Sequence, residues 1–282
     1  MLVRDTFELV GRRWRDLGEF AIVGAAGFLV AFVLLFLGLN ALFGGEFFSK
    51  VEELSSPAMD SADEMNAWLE SFDVTPTTTA VVLLFLFLFA SVVGYEVQNI
   101  AVSNAALDDL EGREVIAGSV LARAFRRTPK VFLFGVLVGV AIGLAACGGC
   151  ALMYLIDPAL SIVWVLMVLP FLIVFAPLVP ILMVMAYVEP KLPTPRRWLR
   201  LMKGNKAALW GRMMLIVIVT GVLSFALSLS LGALPMPVLY GELIANVIIA
   251  PIILTLSAVA YLLMYADLTG RNRPPAEPEL ST

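Results

Sequence analysis

The stretch TTAVVLLFLFLFASVVGYEV, residues 78–97, decides the fold. It contains no Lys or Arg, and its one acid, Glu96, stands next to its end. A helix rises about 1.5 Å per residue, so twenty such residues reach across a hydrocarbon layer of about 30 Å. The run does not alternate apolar and polar residues as a strand of a membrane barrel would. Backbone groups in lipid must bond within their own segment, which a helix achieves. The stretch is therefore read as a transmembrane helix.

Five further stretches read the same way, at about 20–43, 131–155, 159–188, 210–231 and 238–265. The whole chain agrees: of 282 residues, 60% are hydrophobic and 15% charged, with a mean hydropathy of +0.93. A soluble domain is about half apolar and about a quarter charged. The expected fold is all-α, a polytopic membrane protein of six transmembrane helices occupying residues 1–270. Residues 271–282, RNRPPAEPELST, form a proline-rich, polar tail expected to be disordered and cytoplasmic.

Basic residues set the orientation. They lie before the first helix (Arg4, Arg12, Arg13, Arg15), between the second and third (Arg113, Arg123, Arg126, Arg127, Lys130), and between the fourth and fifth (Lys191 to Arg212). With six helices these segments share one side, whereas the loop at 44–77 carries Lys50 and eight acids. Both termini are thus expected in the cytoplasm. Within that loop SADEMNAWLESF, residues 61–72, has capping-box spacing and is expected to form a short amphipathic helix. The twin arginine of GRRWRDL is read as part of a basic amphipathic helix rather than an export signal, since acids precede it and the apolar run after it is long.

A unit recurs three times, at about 1–100, 101–190 and 191–270. Each opens on a basic amphipathic stretch: DTFELVGRRWRDLGEF, GSVLARAFRRTPKVF and RRWLRLMKGNKAALWGR. Such helices lie in a membrane surface with their arginines near lipid phosphates, which nominates Arg12, Arg13, Arg126, Arg127, Arg196 and Arg197 for headgroup contact. Each unit closes on Tyr with an acid close behind: GYEV (Tyr95, Glu96), AYVE (Tyr187, Glu189) and MYAD (Tyr265, Asp267). Tyrosine there matches the interfacial aromatic belt. The acid has the option of pairing with a neighbouring unit's surface helix, worth about 0–1 kcal/mol if exposed.

This layout, with GREVIAGSVLARAFRR after the second helix, YVEPKLPTPRRWLRLMKGNKAALWGR after the fourth and LMYADLTGR at the end, resembles a bacterial family. It is similar to the multi-helix membrane domain of some glycerophosphodiester phosphodiesterases and to the YciC-like membrane proteins. The likeness covers nearly the whole chain, up to about Arg271. It implies a fold and a location in the bacterial cytoplasmic (inner) membrane. It implies no activity, because the phosphodiesterase chemistry of that group belongs to a separate soluble domain.

The absence of histidine removes the commonest general base and metal ligand. There is no phosphate-binding loop of the G-x-x-x-x-G-K-[ST] form. No cofactor, metal site or nucleic-acid partner is expected; the expected partners are membrane lipids, with room for a further membrane protein. Cys147 and Cys150 in ACGGCAL have redox spacing, but they fall toward the outer end of the third helix, among apolar residues and without a cation. Were the helix regular there, they would share a face one turn apart. Gly143, Ala145, Ala146, Gly148 and Gly149 make that surface smooth enough for another helix to approach closely, so packing is the preferred reading.

Three functional readings follow. The first is a non-enzymatic membrane accessory or organising protein that contacts anionic lipid. The second is a lipid or small-molecule transporter, its path lined by Pro170, Pro177 and Pro180 of a kinked fourth helix and by Glu242 and Asn246. The third is a membrane thiol oxidoreductase using Cys147 and Cys150.

Overall fold

The structure is a computed structural model and describes residues 2–48, 76–175, 178–232, 241 and 243–271. Every regular element among the described residues is helical. Chain order gives α1 (Leu2–Arg12), α2 (Trp14–Leu42), α3 (Thr78–Leu110), α4 (Ala117–Gly143), α5 (Gly149–Ile156), α6 (Pro158–Phe175), α7 (Val179–Val188), α8 (Pro195–Met202), α9 (Lys206–Gly232) and α10 (Ala250–Thr269). Wider, π-type turns at Leu144–Gly148 and Ala245–Ile249 join α4 to α5 and lead into α10. Among the described residues, five helical stretches are long and apolar enough to cross a membrane: α2, α3, the run Ala117–Ile156, α9, and Ala245–Thr269.

Three expectations change. The fourth apolar stretch is not one long helix but α6 and α7. Proline accounts for the new start: Pro180 occupies the first turn of α7, where its missing N–H costs nothing. The second basic stretch is not a separate surface helix, because it runs directly into the span as α4. Pro129 inside α4 removes one backbone bond without ending the helix. Finally, α3 continues well past Val97 to Leu110. Its 33 residues are about 50 Å long, against the about 30 Å of a bilayer core. The acidic loop helix at 61–72 and the tail at 272–282 lie outside the described residues.

The chain forms two compact units. One comprises Ala21–Tyr95 and Ser224–Ile252. Within it α2 meets α3 backbone to backbone: a Cβ on Gly27 would stand 2.8 Å from Gly94 Cα. Only glycine permits that approach. Further along, Gly38 lies against the Leu84 side chain. The outward residues are large and apolar, among them Ile22, Val33, Val81, Phe85 and Leu88. Exposed apolar surface of that extent belongs in lipid.

The other unit comprises Met1–Phe20, Glu96–Leu223 and Ile253–Thr282. Its centre is the second half of α3, where every residue from 96 to 108 is buried. A helix buried on all sides is a core post surrounded by other helices. An apolar cluster of Leu178, Ile181, Met202, Leu209, Met213, Ile216, Ala260 and Met264 joins α7, α8, α9 and α10, with Leu2 and Trp198 packed against it. The surface helices α1 and α8 thus bury one face in this unit, through Leu9 and Met202. The apolar ends beyond it, such as Leu144, Leu155, Leu166 and Val222, are exposed.

Candidate functional site

Polar side chains gather in the core of the second unit. Along α3, Glu96, Gln98, Asn99, Ser103, Asn104 and Asp108 are all buried. Burying such groups is costly unless they find partners. Several do so on the neighbouring helices, while the buried Ser103 Oγ has no hydrogen-bond partner among the described residues. Gln98 Nε2 donates to Thr255 Oγ1 of α10 at 3.0 Å. Asn104 Nδ2 donates to the Tyr187 carbonyl of α7 at 3.1 Å and to its own helix at Ile100. The Tyr187 side chain is hydrogen-bonded to Glu96. One step on, the Tyr265 hydroxyl donates to Glu189 Oε1 at 2.6 Å. So Tyr187 bonds the acid behind Tyr95, and Tyr265 bonds the acid behind Tyr187. Tyr187 and Tyr265 are buried and do not form an interfacial belt, whereas Tyr95 is 40% exposed.

Around this layer, three carboxylates at the ends of α3, α7 and α10 bind arginines. Asp109 accepts from Arg13 Nε at 2.7 Å and from Arg12, tying α1 to α3. Glu189 meets Arg197 Nη2 of α8 at 2.9 Å. Asp267 accepts from Arg212 Nη1 of α9 at 2.9 Å. Arg127 Nε of α4 donates to the Ala186 carbonyl at 2.8 Å, and Glu189 attracts its charge. Arginines of the basic stretches are thus held at the ends of α3, α7 and α10. Asp108 adds a further clasp, accepting from Arg113 Nε at 2.9 Å and Arg123 Nη2 at 3.0 Å. Hydrogen bonds to Asp109 and Asp108 hold the Arg13 and Arg113 guanidiniums above their ordinary pKa.

Local sequence explains two of these ends. DLEGR at 109–113 and DLTGR at 267–271 terminate α3 and α10 identically. Gly112 and Gly270 take φ of +69° and +72°, which glycine adopts without penalty. The Arg113 N–H then returns to the Asp108 carbonyl at 2.7 Å and the Arg271 N–H to Ala266 at 2.9 Å. Both are Schellman caps, and both leave an Asp in the last turn of the helix.

The nominated lipid-contact arginines divide. Arg12, Arg13, Arg127 and Arg197 are engaged by the protein. Arg126 and Arg196 are exposed and make no ion pair among the described residues. Of the suggested transport path, Pro170 is exposed in α6, Pro180 starts α7, and Asn246 lies half-buried in the wide turn before α10. Pro177 and Glu242 lie outside the described residues.

Cys147 and Cys150 are unbonded, the first exposed and the second partly buried. The helix is not regular there: the wide turn ends at Gly148, so simple one-turn spacing does not describe them. The Trp164 ring covers Gly149, where a Cβ would stand 2.3 Å from Cζ2, and its Nε1 donates to the Ala146 carbonyl at 3.3 Å. This is close packing of α6 on small residues. An open apolar hollow beside the thiols, lined by Ala146, Ala151, Tyr154, Leu155 and Val165, offers them no cation.

Among the described residues no three His, Cys, Asp or Glu side chains gather as metal ligands. What the arrangement does chemically is lock helices together through charge-assisted hydrogen bonds. Sequence reading missed the polar run from Gln98 to Asp109, because it ended the second span at Val97. The signal that would have found it is the DLEGR and DLTGR pair. No family model, curated protein or solved structure matches this chain.

Proposed function

We propose that the chain is a non-enzymatic accessory or organising protein of the bacterial cytoplasmic membrane, holding a basic rim against anionic lipid. In this reading six spans form three like-oriented units, with α6 and α7 together serving as the fourth span and both termini cytoplasmic. The layout likeness to the membrane domain of glycerophosphodiester phosphodiesterases and to the YciC-like proteins supports it. So do the arginine–carboxylate pairs at Asp109, Glu189 and Asp267, one near the close of each unit's second apolar stretch.

The observation that carries the lipid part is the division of the arginines. Buried carboxylates fix the surface helices, which leaves Arg126 and Arg196 displayed at the rim. A Lys or Arg beside an anionic leaflet contributes about 1 kcal/mol. The test is lipid analysis of native nanodiscs cut from the membrane with the protein. Anionic lipid should be enriched over the bulk membrane, and the enrichment should fall in R126Q/R196Q. Equal composition for the wild type and the bulk would reject lipid contact.

A further inference from the structure

An apolar groove of about 250 Å³ opens beside α8. Its walls are Phe134, Val138 and Ala141 of α4, Phe175 of α6, Leu182 of α7 and Trp198 of α8. Almost nothing polar lines it. The Trp198 indole N–H is already used, donating to the Leu178 carbonyl at 3.3 Å, and this bond pins α8 beside the start of α7. The groove therefore offers an occupant no hydrogen bond and favours an alkyl chain.

Its rim is different. Lys206 Nζ stands 5.0 Å from the centroid of the Phe175 ring, so an exposed ammonium sits over a groove wall. Arg196, also exposed, follows the lining residue Pro195 directly, and exposed Lys191 lies two residues before the lining Pro193. The nearest carboxylate in sequence, Glu189, is buried and already bound to Arg197 and Tyr265. An apolar slot under an uncompensated cationic rim matches a molecule with an alkyl chain and an anionic head.

We infer that this groove is a binding site for one anionic glycerophospholipid, with an acyl chain along Phe134, Val138 and Trp198 and its phosphate at Lys206. This deepens the lipid-contact reading and rests on it. Lysine suits the head position because a mobile ammonium meets a phosphate as a point charge. The apolar walls distinguish the site from general attraction of basic residues to a charged surface, which needs no groove.

The test is native mass spectrometry of the full chain in nanodiscs of phosphatidylcholine with phosphatidylglycerol. Wild type should retain one phosphatidylglycerol in preference to phosphatidylcholine. K206Q, an exposed change that leaves the walls intact, should reduce that preference about fivefold, the worth of one lysine near anionic lipid. A141W, which fills the groove, should abolish retention of both lipids. A phosphatidylglycerol carrying a photoreactive acyl chain should label the 134–142 peptide in wild type. Wild-type retention and preference in both variants overturns the groove; if wild type still enriches phosphatidylglycerol, the broader rim contact survives. No preference in wild type overturns both. A second copy of the chain retained in place of lipid also overturns the groove.

Discussion

Breaking the hydrogen bond between Tyr265 and Glu189 should cost more than a typical bond between membrane helices. The phenol is fully buried, the carboxylate is 2% exposed, and their oxygens are 2.6 Å apart. Neutral hydrogen bonds between membrane helices average about 0.6 kcal/mol in double-mutant cycles, with a maximum near about 1.7. Bonds to a charged acceptor run to about 1.5–3 kcal/mol in proteins generally. Arg197 also holds Glu189, but its side chain is 56% exposed, so its share is set near the about 0–1 kcal/mol of surface pairs. The coupling between Y265F and E189Q should therefore reach about 1–2 kcal/mol. Y265F keeps the ring and E189Q keeps the shape, so packing is little disturbed. Reversible unfolding in mixed micelles by added SDS, with Trp fluorescence as readout, gives the four stabilities of the cycle. A coupling below about 0.3 kcal/mol would refute the view that this bond is a principal tie between α10 and the end of α7.

Four further outcomes follow from the same structure. D109N should release Arg12 and Arg13 and loosen α1, raising hydrogen exchange across Leu2–Arg12 while leaving α10 unchanged; equal exchange in α1 would contradict the clasp. G94V should drive α2 and α3 apart at Gly27, a small-to-large change costing about 1–3 kcal/mol, and an unshifted melting temperature would count against the contact. G149A should be destabilising because its Cβ meets the Trp164 ring, and W164L should restore the stability lost; no rescue would mean the ring does not seat there. C147S/C150S should match wild type in melting temperature within about 0.5 kcal/mol equivalent, and in protein prepared without reductant a maleimide should react faster at exposed Cys147 than at Cys150; equal or reversed rates would contradict their placement.

Hydropathy located the apolar runs because lipid contact is written in side-chain character. Residues 78–97 and 210–231 both fall inside long helices for that reason. The same property hid the rest of α3. From Gln98 onward the helix leaves the composition of a span, yet it is buried in protein rather than exposed to water. Composition distinguishes lipid from water; it does not distinguish water from a polar protein core. The wide turn at 144–148 was also illegible, since Gly and Ala suit a regular helix equally well. Pairing of the acids behind Tyr187 and Tyr265 is legible in part: Glu189 takes Arg197 of the following basic stretch, on the surface helix α8, whereas Asp267 takes Arg212 from the stretch that precedes it. The small-residue surface around Gly149 was readable in advance, and Trp164 is the side chain that uses it.

The order of the tyrosine bonds has a consequence for biogenesis. Glu96 emerges from the ribosome long before Tyr187, and Glu189 long before Tyr265. Tyr187 and Tyr265 each arrive after the carboxylate that they bond. The nascent chain thus carries Glu189 short of its phenol donor, with Arg197 as its partner, until α10 arrives. A chain halted before Tyr265 would present Glu189 without its hydroxyl, a mark that membrane quality-control proteases are suited to recognise. The polar core of this unit is completed only once α10 is in place.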